Sequence, residues 1–212
     1  MKILKNIVFD FGGVLIDWNP RYLYRNVFET EDEMEYFLEH ICPYDWNLMQ
    51  DAGRLLAEAT LSKQKEHPEY SNEIALYYGR WIEMIGGIFE ENVKLLKPLK
   101  EKYNLYGLTN WSAETLPLAQ AKYDFFDLFD GIVVSGAEKI VKPDPELYRI
   151  LIDRYRINPQ ETLFIDDNPQ NIQTAERLGF HTLYLTPQIN LEQELKNRGI
   201  IDCWKKEFRS EK

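Results

Sequence analysis

The chain has 212 residues, 44% of them hydrophobic, and a formal net charge of −10. That length supports one good core with a small accessory domain, and the acidic balance argues against nucleic acid, which is held by clustered Lys and Arg. A small phosphate ester is not excluded, because a bound cation inverts the local field.

The opening residues, Met1-Lys2-Ile3-Leu4-Lys5-Asn6, do not read as a signal peptide, since the short apolar run stops at Asp10. Ile7-Val8-Phe9 reads as a buried strand of a parallel sheet. Asp10 then stands at the C-terminal end of that strand, the edge at which open α/β sheets bind ligands. Gly12-Gly13 let the backbone turn sharply beside it. Residues 19–90 have helical character with no clear strand. Residues 31–39 form an amphipathic pattern with Met34, Phe37 and Leu38 on one side, and the stretches at 55–59 and 74–78 suggest further helices. Pro68 and Gly86-Gly87 punctuate this region. Trp18, Trp46 and Trp81, with many tyrosines, suggest a compact bundle with its own small core.

From Asn92 the pattern alternates. A helix is expected over 93–102, bent or started by Pro98, then a strand over 105–108 ending at Thr109-Asn110, and a helix over 112–123. A strand over 131–134 follows. Asp144-Pro145 is a helix cap and first turn. Residues 162–165 form a strand ending in Asp166-Asp167, Asn168-Pro169 starts the next helix, and 181–185 is the last strand. Strands alternating with helices imply βαβ crossovers, so the fold class is α/β: a Rossmann-like parallel sheet with helices on both faces. The helical block after the first strand reads as an inserted α-helical cap, giving a core of 1–16 and 92–212 and a cap of 17–91. The tail after Ile200 is charged and peripheral. Cys42 and Cys203 give no disulfide framework, and His40, His67 and His181 are too scattered for a zinc site. No stretch approaches bilayer-spanning length. The expectation is a soluble, cytoplasmic protein without nucleic-acid or membrane partners.

Asp10, Thr109-Asn110, Lys142 and Asp166-Asp167 all fall past strand ends, and parallel strands end at one edge, so these groups should converge. Together they suit phosphoryl transfer, which needs an in-line nucleophile, donors and a cation on the phosphate oxygens, and a metal. A carboxylate can be the nucleophile, and magnesium takes carboxylate, water and phosphate oxygens. Thr109 and Asn110 could instead cap the following helix, although Ser112 is also available for that. Lys142 is held extended by Pro143. Asp166-Asp167 are surplus to capping, and two adjacent carboxylates ordinarily share a cation.

Val8-Phe9-Asp10-Phe11-Gly12-Gly13-Val14, Leu108-Thr109-Asn110, Lys142-Pro143-Asp144-Pro145 and Phe164-Ile165-Asp166-Asp167 resemble, in order, the four motifs of the haloacid dehalogenase-like hydrolase superfamily. The helical insertion resembles the small cap of the branch with sugar-phosphate phosphatases. The resemblance implies that Asp10 is the nucleophile and a magnesium ligand, that the Gly12 carbonyl is a second ligand, and that Asp167 binds the metal with Asp166 close by. It further implies that Thr109 and Asn110 hold the phosphoryl oxygens, that Lys142, a catalytic and phosphate-binding residue, offsets the charge of the crowded carboxylates and the phosphate, and that Asn171 braces the fourth motif. The departure is Gly12, where most phosphatases of the superfamily carry a second aspartate that protonates the leaving oxygen. General acid–base help contributes about a hundred- to ten-thousand-fold. Either the substrate has a good leaving group, as a sugar 1-phosphate or acyl phosphate does, or another group substitutes, or turnover is low. Asp17 is the nearest carboxylate, set against a plain surface role.

The expected function is a magnesium-dependent phosphatase of a small phosphorylated metabolite, such as a sugar phosphate, working through an aspartyl-phosphate. The alternatives are a metal-independent haloacid dehalogenase-type hydrolase and a phosphate-binding regulatory protein with little turnover. Trp18, Asn19, Trp46 and Arg54 are candidate cap contacts whose structural role is weighed first.

Overall fold

The computed structural model describes residues 4–201. Strand β1 (Asn6–Phe9) is followed by β2 (Ile16–Trp18), and β3 (Ile85–Ile88) closes the helical block; β4 (Asn104–Thr109), β5 (Gly131–Val134), β6 (Thr162–Asp166) and β7 (His181–Tyr184) complete the set. Five of these strands form one parallel sheet in the order β5-β4-β1-β6-β7, so the strand that carries Asp10 is central. A strand buried on both faces must be apolar throughout, and β1 is buried at every residue. Ile7 and Phe9 of β1, Leu105 of β4 and Leu163 and Ile165 of β6 pack on one face. Val8, Tyr106, Leu108 and Phe164 pack on the other.

The helical block holds α1 (Arg21–Tyr24), α2 (Glu31–Tyr36), α3 (Tyr44–Asp51), α4 (Leu56–Glu66) and α5 (Ser71–Gly79). The side chain of Thr30 accepts from the Glu33 backbone N–H while Glu33 reaches back, a reciprocal cap that fixes where α2 starts. A π-helical turn at Phe37–Ile41 carries the amphipathic stretch two residues beyond the expected 31–39. The remaining helices are α6 (Glu90–Val93), α7 (Leu96–Lys100), α8 (Leu116–Gln120), α9 (Ser135–Glu138), α10 (Pro145–Tyr155), α11 (Pro169–Arg177) and α12 (Leu191–Asn197). Leu96, Leu99, Leu191 and Leu195 cover one face of the sheet, and Leu147, Tyr148, Leu151, Ile172 and Ala175 cover the other. Asp144 and Asn168 cap α10 and α11, each followed by proline, as expected.

Several details differ from the sequence reading. The helix expected over 93–102 is two short helices, α6 and α7, with Pro98 in the first turn of the second. Helix α8 begins only at Leu116, and α9 was not anticipated. The block between 19 and 90 is not free of strands, because β3 pairs antiparallel with β2, Ile16 facing Ile88 and Asp17 facing Gly87. Gly86-Gly87 therefore lie inside a strand. A Cβ on Gly86 would sit 2.5 Å from the Tyr22 ring, so glycine there permits close approach rather than a turn. The aromatics of the block do not form a separate core: Tyr24, Phe37, Trp46 and Tyr77 belong to the same cluster as Ile7 and Phe9. Trp81 against Trp111, ring centres 5.5 Å apart, is one bridge between the two regions.

Cys42 is a free buried thiol, and Cys203 lies outside the described residues, as does the charged tail from residue 202. Among the described residues no helix is long and apolar enough to cross a membrane.

Candidate active site

β1 ends against its neighbour with the Asp10 backbone N–H donating to the Ile165 carbonyl at 2.9 Å, which fixes the aspartate at the sheet edge. The chain then folds back on itself. The N–H of Ile16 reaches the Phe11 carbonyl and that of Gly13 reaches the Ile16 carbonyl, which bridges Gly12 to Ile16 and leaves Gly12's own N–H and carbonyl outside these two bonds. Asp10 is buried, and each carboxylate oxygen has one fixed donor. Oδ1 accepts from the Phe11 N–H at 2.7 Å, and Oδ2 meets Lys142 Nζ at 2.9 Å.

Lys142 comes from the loop after α9 and its side chain is 1% exposed. Its ammonium has three protons, and three acceptors surround it: Asp10, Asp166 Oδ2 at 2.7 Å, and the Leu108 carbonyl at 2.8 Å. Burial alone would pull this lysine's pKa down, but Asp10 and Asp166 outweigh it and hold the pKa above the ordinary lysine range. Asp166, at the end of β6, is fully buried and accepts on Oδ1 from the Asn168 N–H at 2.8 Å and from Asn171 Nδ2 at 2.9 Å. Asn171 thus braces Asp166, as expected, while its own Oδ1 is buried without a partner.

Asp167 is the exposed member. A Cβ on Gly13 would lie 2.0 Å from Asp167 Oδ2, so the carboxylate occupies the place a side chain would fill. Asp10, Asp166 and Asp167 present carboxylate oxygens within 4.8 Å of one another. Burial, then the other carboxylates, push the Asp10 carboxyl upward against the pull of Lys142. Burial and Asp166 do the same to Asp167. Three carboxylates against one lysine leave an excess of two negative charges. An all-oxygen donor set with one face open suits a hard divalent ion such as magnesium.

These groups open onto a cleft of about 570 Å³. The sheet edge contributes Asp10, Gly12, Gly13, Lys142, Asp167 and the loop Asn110-Trp111-Ser112. The helical block contributes Trp18, Tyr44, Asn47, Asp51, Tyr78 and Trp81. Among the described residues that line the cleft, Lys142 is the only lysine or arginine.

The expected site residues are distributed unevenly. Asn110 lines the cleft, but its side chain grips the backbone of Lys142, accepting from its N–H at 2.8 Å and donating to its carbonyl at 3.0 Å. Thr109 is buried at the end of β4 and does not line the cleft. Trp18 lines it, whereas Asn19, Trp46 and Arg54 do not. Asp17 accepts from the Tyr22 hydroxyl at 2.6 Å and is absent from the wall, so it is no substitute at Gly12. Sequence reasoning missed Asn47, Asp51 and Tyr78. They sit on two helices with no shared motif, and the one local mark is Gly53 (φ +90) just after Asp51. Asp51 is only partly exposed, and burial pushes its carboxyl up to about 7 despite the N–H of Ser112 pulling the other way.

The family model for haloacid dehalogenase-like hydrolases matches residues 4–179. Over its length the chain is similar to the sesquiterpene phosphatase astK of Aspergillus oryzae, 25% identical with 94% of this chain and 97% of that protein covered. It is also similar to the D-ribitol-5-phosphate phosphatase of Bacteroides thetaiotaomicron, 24% identical with 91% and 97% covered. A HAD family enzyme of the same bacterium, solved as a magnesium complex, shares the fold with a TM-score of 0.75 at 23% identity, covering 92% of this chain and all of that one.

Proposed function

The chain belongs to the haloacid dehalogenase-like hydrolases, and from that premise we propose that it is a magnesium-dependent phosphatase of a small phosphorylated metabolite. The observation that carries this reading is Asp10, buried and oriented at the end of the central strand, with Asp166 and Asp167 beside it and one saturated lysine. Full-length relatives named as phosphatases support it.

Asp10 is the nucleophile. A free lone pair of its carboxylate attacks phosphorus in line, the bond to the leaving oxygen breaks, and that oxygen takes a proton from solvent water. Water then attacks the phosphorus of the aspartyl-phosphate, releasing phosphate and regenerating the carboxylate. Asp10, Asp167 and the Gly12 carbonyl would hold a magnesium ion, which would neutralise charge on the phosphoryl oxygens. Lys142 holds Asp10 and Asp166 in place and offsets their charge. Asn110 acts at the phosphoryl end through its grip on Lys142. Of the described residues, those before residue 17 and after residue 91 form the catalytic core, and residues 17–91 form a cap that shields the cleft from water and selects the leaving group. A metal-independent dehalogenase reading leaves the surplus charge of Asp166-Asp167 unanswered.

The test is phosphate release from p-nitrophenyl phosphate in magnesium buffer. Turnover is expected, with Asp10→Asn and excess EDTA each reducing it below detection. Undiminished activity in EDTA overturns the metal-dependent reading. A stabilising effect of magnesium and phosphate with no turnover on any ester replaces it with a binding role.

A further inference from the structure

Asp51 is a carboxyl in the cleft that the reaction above does not use. It ends α3, and the backbone around it is fixed: the Asp51 carbonyl accepts from Ser135 Oγ at 2.5 Å, and Ser135 Oγ in turn accepts from the Trp111 N–H at 2.9 Å. Gly53 packs so tightly on α9 that a Cβ there would sit 2.8 Å from the Gly136 carbonyl. The side chain is oriented by a directed chain of donors. Gln50 Nε2 donates to the Tyr78 hydroxyl at 2.9 Å, Tyr78 donates to Asn47 Oδ1 at 3.0 Å, and Asn47 Nδ2 donates to Asp51 Oδ2 at 3.0 Å. Every donor in that chain points toward Asp51, and the chain ends at the cleft. No cation lies among the groups that set its charge.

We propose that Asp51, oriented by Asn47 and Tyr78, is a specificity-determining residue that binds a hydroxyl of the leaving group, which makes polyhydroxylated phosphate esters the preferred substrates. This rests on the phosphatase reading. Asn47 Nδ2 and the Ser112 N–H each give this carboxyl one donor, and with no cation beside it the hydrogen-bonding capacity that remains faces the cleft and is open to a ligand. A hydroxyl answers it in either protonation state, since it both donates and accepts. A carboxyl poised near neutrality, as burial makes this one, suits that partner better than an ammonium group, which needs a full charge opposite. The adjoining faces of Trp81 and Trp111 offer apolar surface to the C–H side of a polyol.

The experiment compares kcat and KM of the full chain with magnesium on a pentitol or hexose phosphate, an isoprenyl monophosphate, phosphoethanolamine and p-nitrophenyl phosphate. Wild type should prefer the polyhydroxylated ester. Asp51→Asn should lower its kcat/KM roughly ten- to a hundredfold, the range of a lost hydrogen bond to a charged group, mostly through KM, with a much smaller loss on p-nitrophenyl phosphate. Tyr78→Phe should shift the same ratio in the same direction by less, and decides the matter if Asp51→Asn does not fold. Equal losses on all esters, or a wild-type preference for the isoprenyl or amino ester, overturn the proposal alone. No turnover on any ester overturns the phosphatase reading and this inference with it.

Discussion

Gly12 is the residue that sets this site apart. It lines the cleft beside Asp10, and a Cβ built on it meets no heavy atom within 4 Å. The missing side chain therefore reflects no steric demand, unlike Gly13, whose Cβ would collide with Asp167. An aspartate at position 12 fits the space and would stand within the pocket where a leaving oxygen departs. Gly12→Asp should raise kcat by roughly ten- to a hundredfold, within the span of general acid–base catalysis. The gain should be larger for an alkyl phosphate than for p-nitrophenyl phosphate, whose leaving group needs no proton. Steady-state kinetics on the two esters checks this, and an unchanged ratio sinks it. Asp10, Lys142 and Asp166-Asp167 could be read from the sequence because each ends or follows a strand, and strand ends of a parallel sheet share an edge. Asn110 was legible in position but not in role, since its hydrogen bonds to Lys142 span 32 residues of chain. Asp51 was not legible at all. Its environment is made by Asn47, one turn back on α3, and by Tyr78 and Ser112, which only tertiary packing brings to it.

Among the elements, the sequence hid α9 as well as the two-stranded ribbon of β2 and β3. Its strands have three and four residues, and one of them contains two adjacent glycines, so neither alternation nor β-branched content announces it. The strands and helix starts of the parallel sheet were legible because unbroken apolar runs and Asx-Pro caps are local signals. Gly86 shows why the ribbon takes this composition: the Tyr22 ring packs close on the bare backbone, and its hydroxyl goes on to Asp17 on the paired strand. Gly86→Ala should destabilise the protein by about 1–3 kcal/mol through that overlap. Gly79→Ala, at the end of α5 where a Cβ meets nothing, should be neutral or slightly stabilising. Chemical denaturation of both variants tests the contrast. Equal stabilities would mean that the Tyr22 ring moves aside without loss.

At the scale of the whole molecule, one apolar cluster runs from the sheet into the helical block, while the polar groups of both regions meet at the cleft. The two halves are pinned there by the Ser135 hydroxyl on the Asp51 carbonyl and by the Glu114 carboxylate on the Leu56 N–H at 2.9 Å. The saturated ammonium of Lys142 has a consequence for how such a cleft is filled. With its three protons committed inward, it offers an arriving dianion nothing, and the neighbouring carboxylates turn that dianion away. Ligands should therefore load in a compulsory order, ion before ester. In a thermal-shift titration magnesium alone should raise the melting temperature, by mass action on the folded state. Inorganic phosphate should add a further rise only in its presence, and phosphate stabilising the chelated protein equally well would show that entry needs no such sequence.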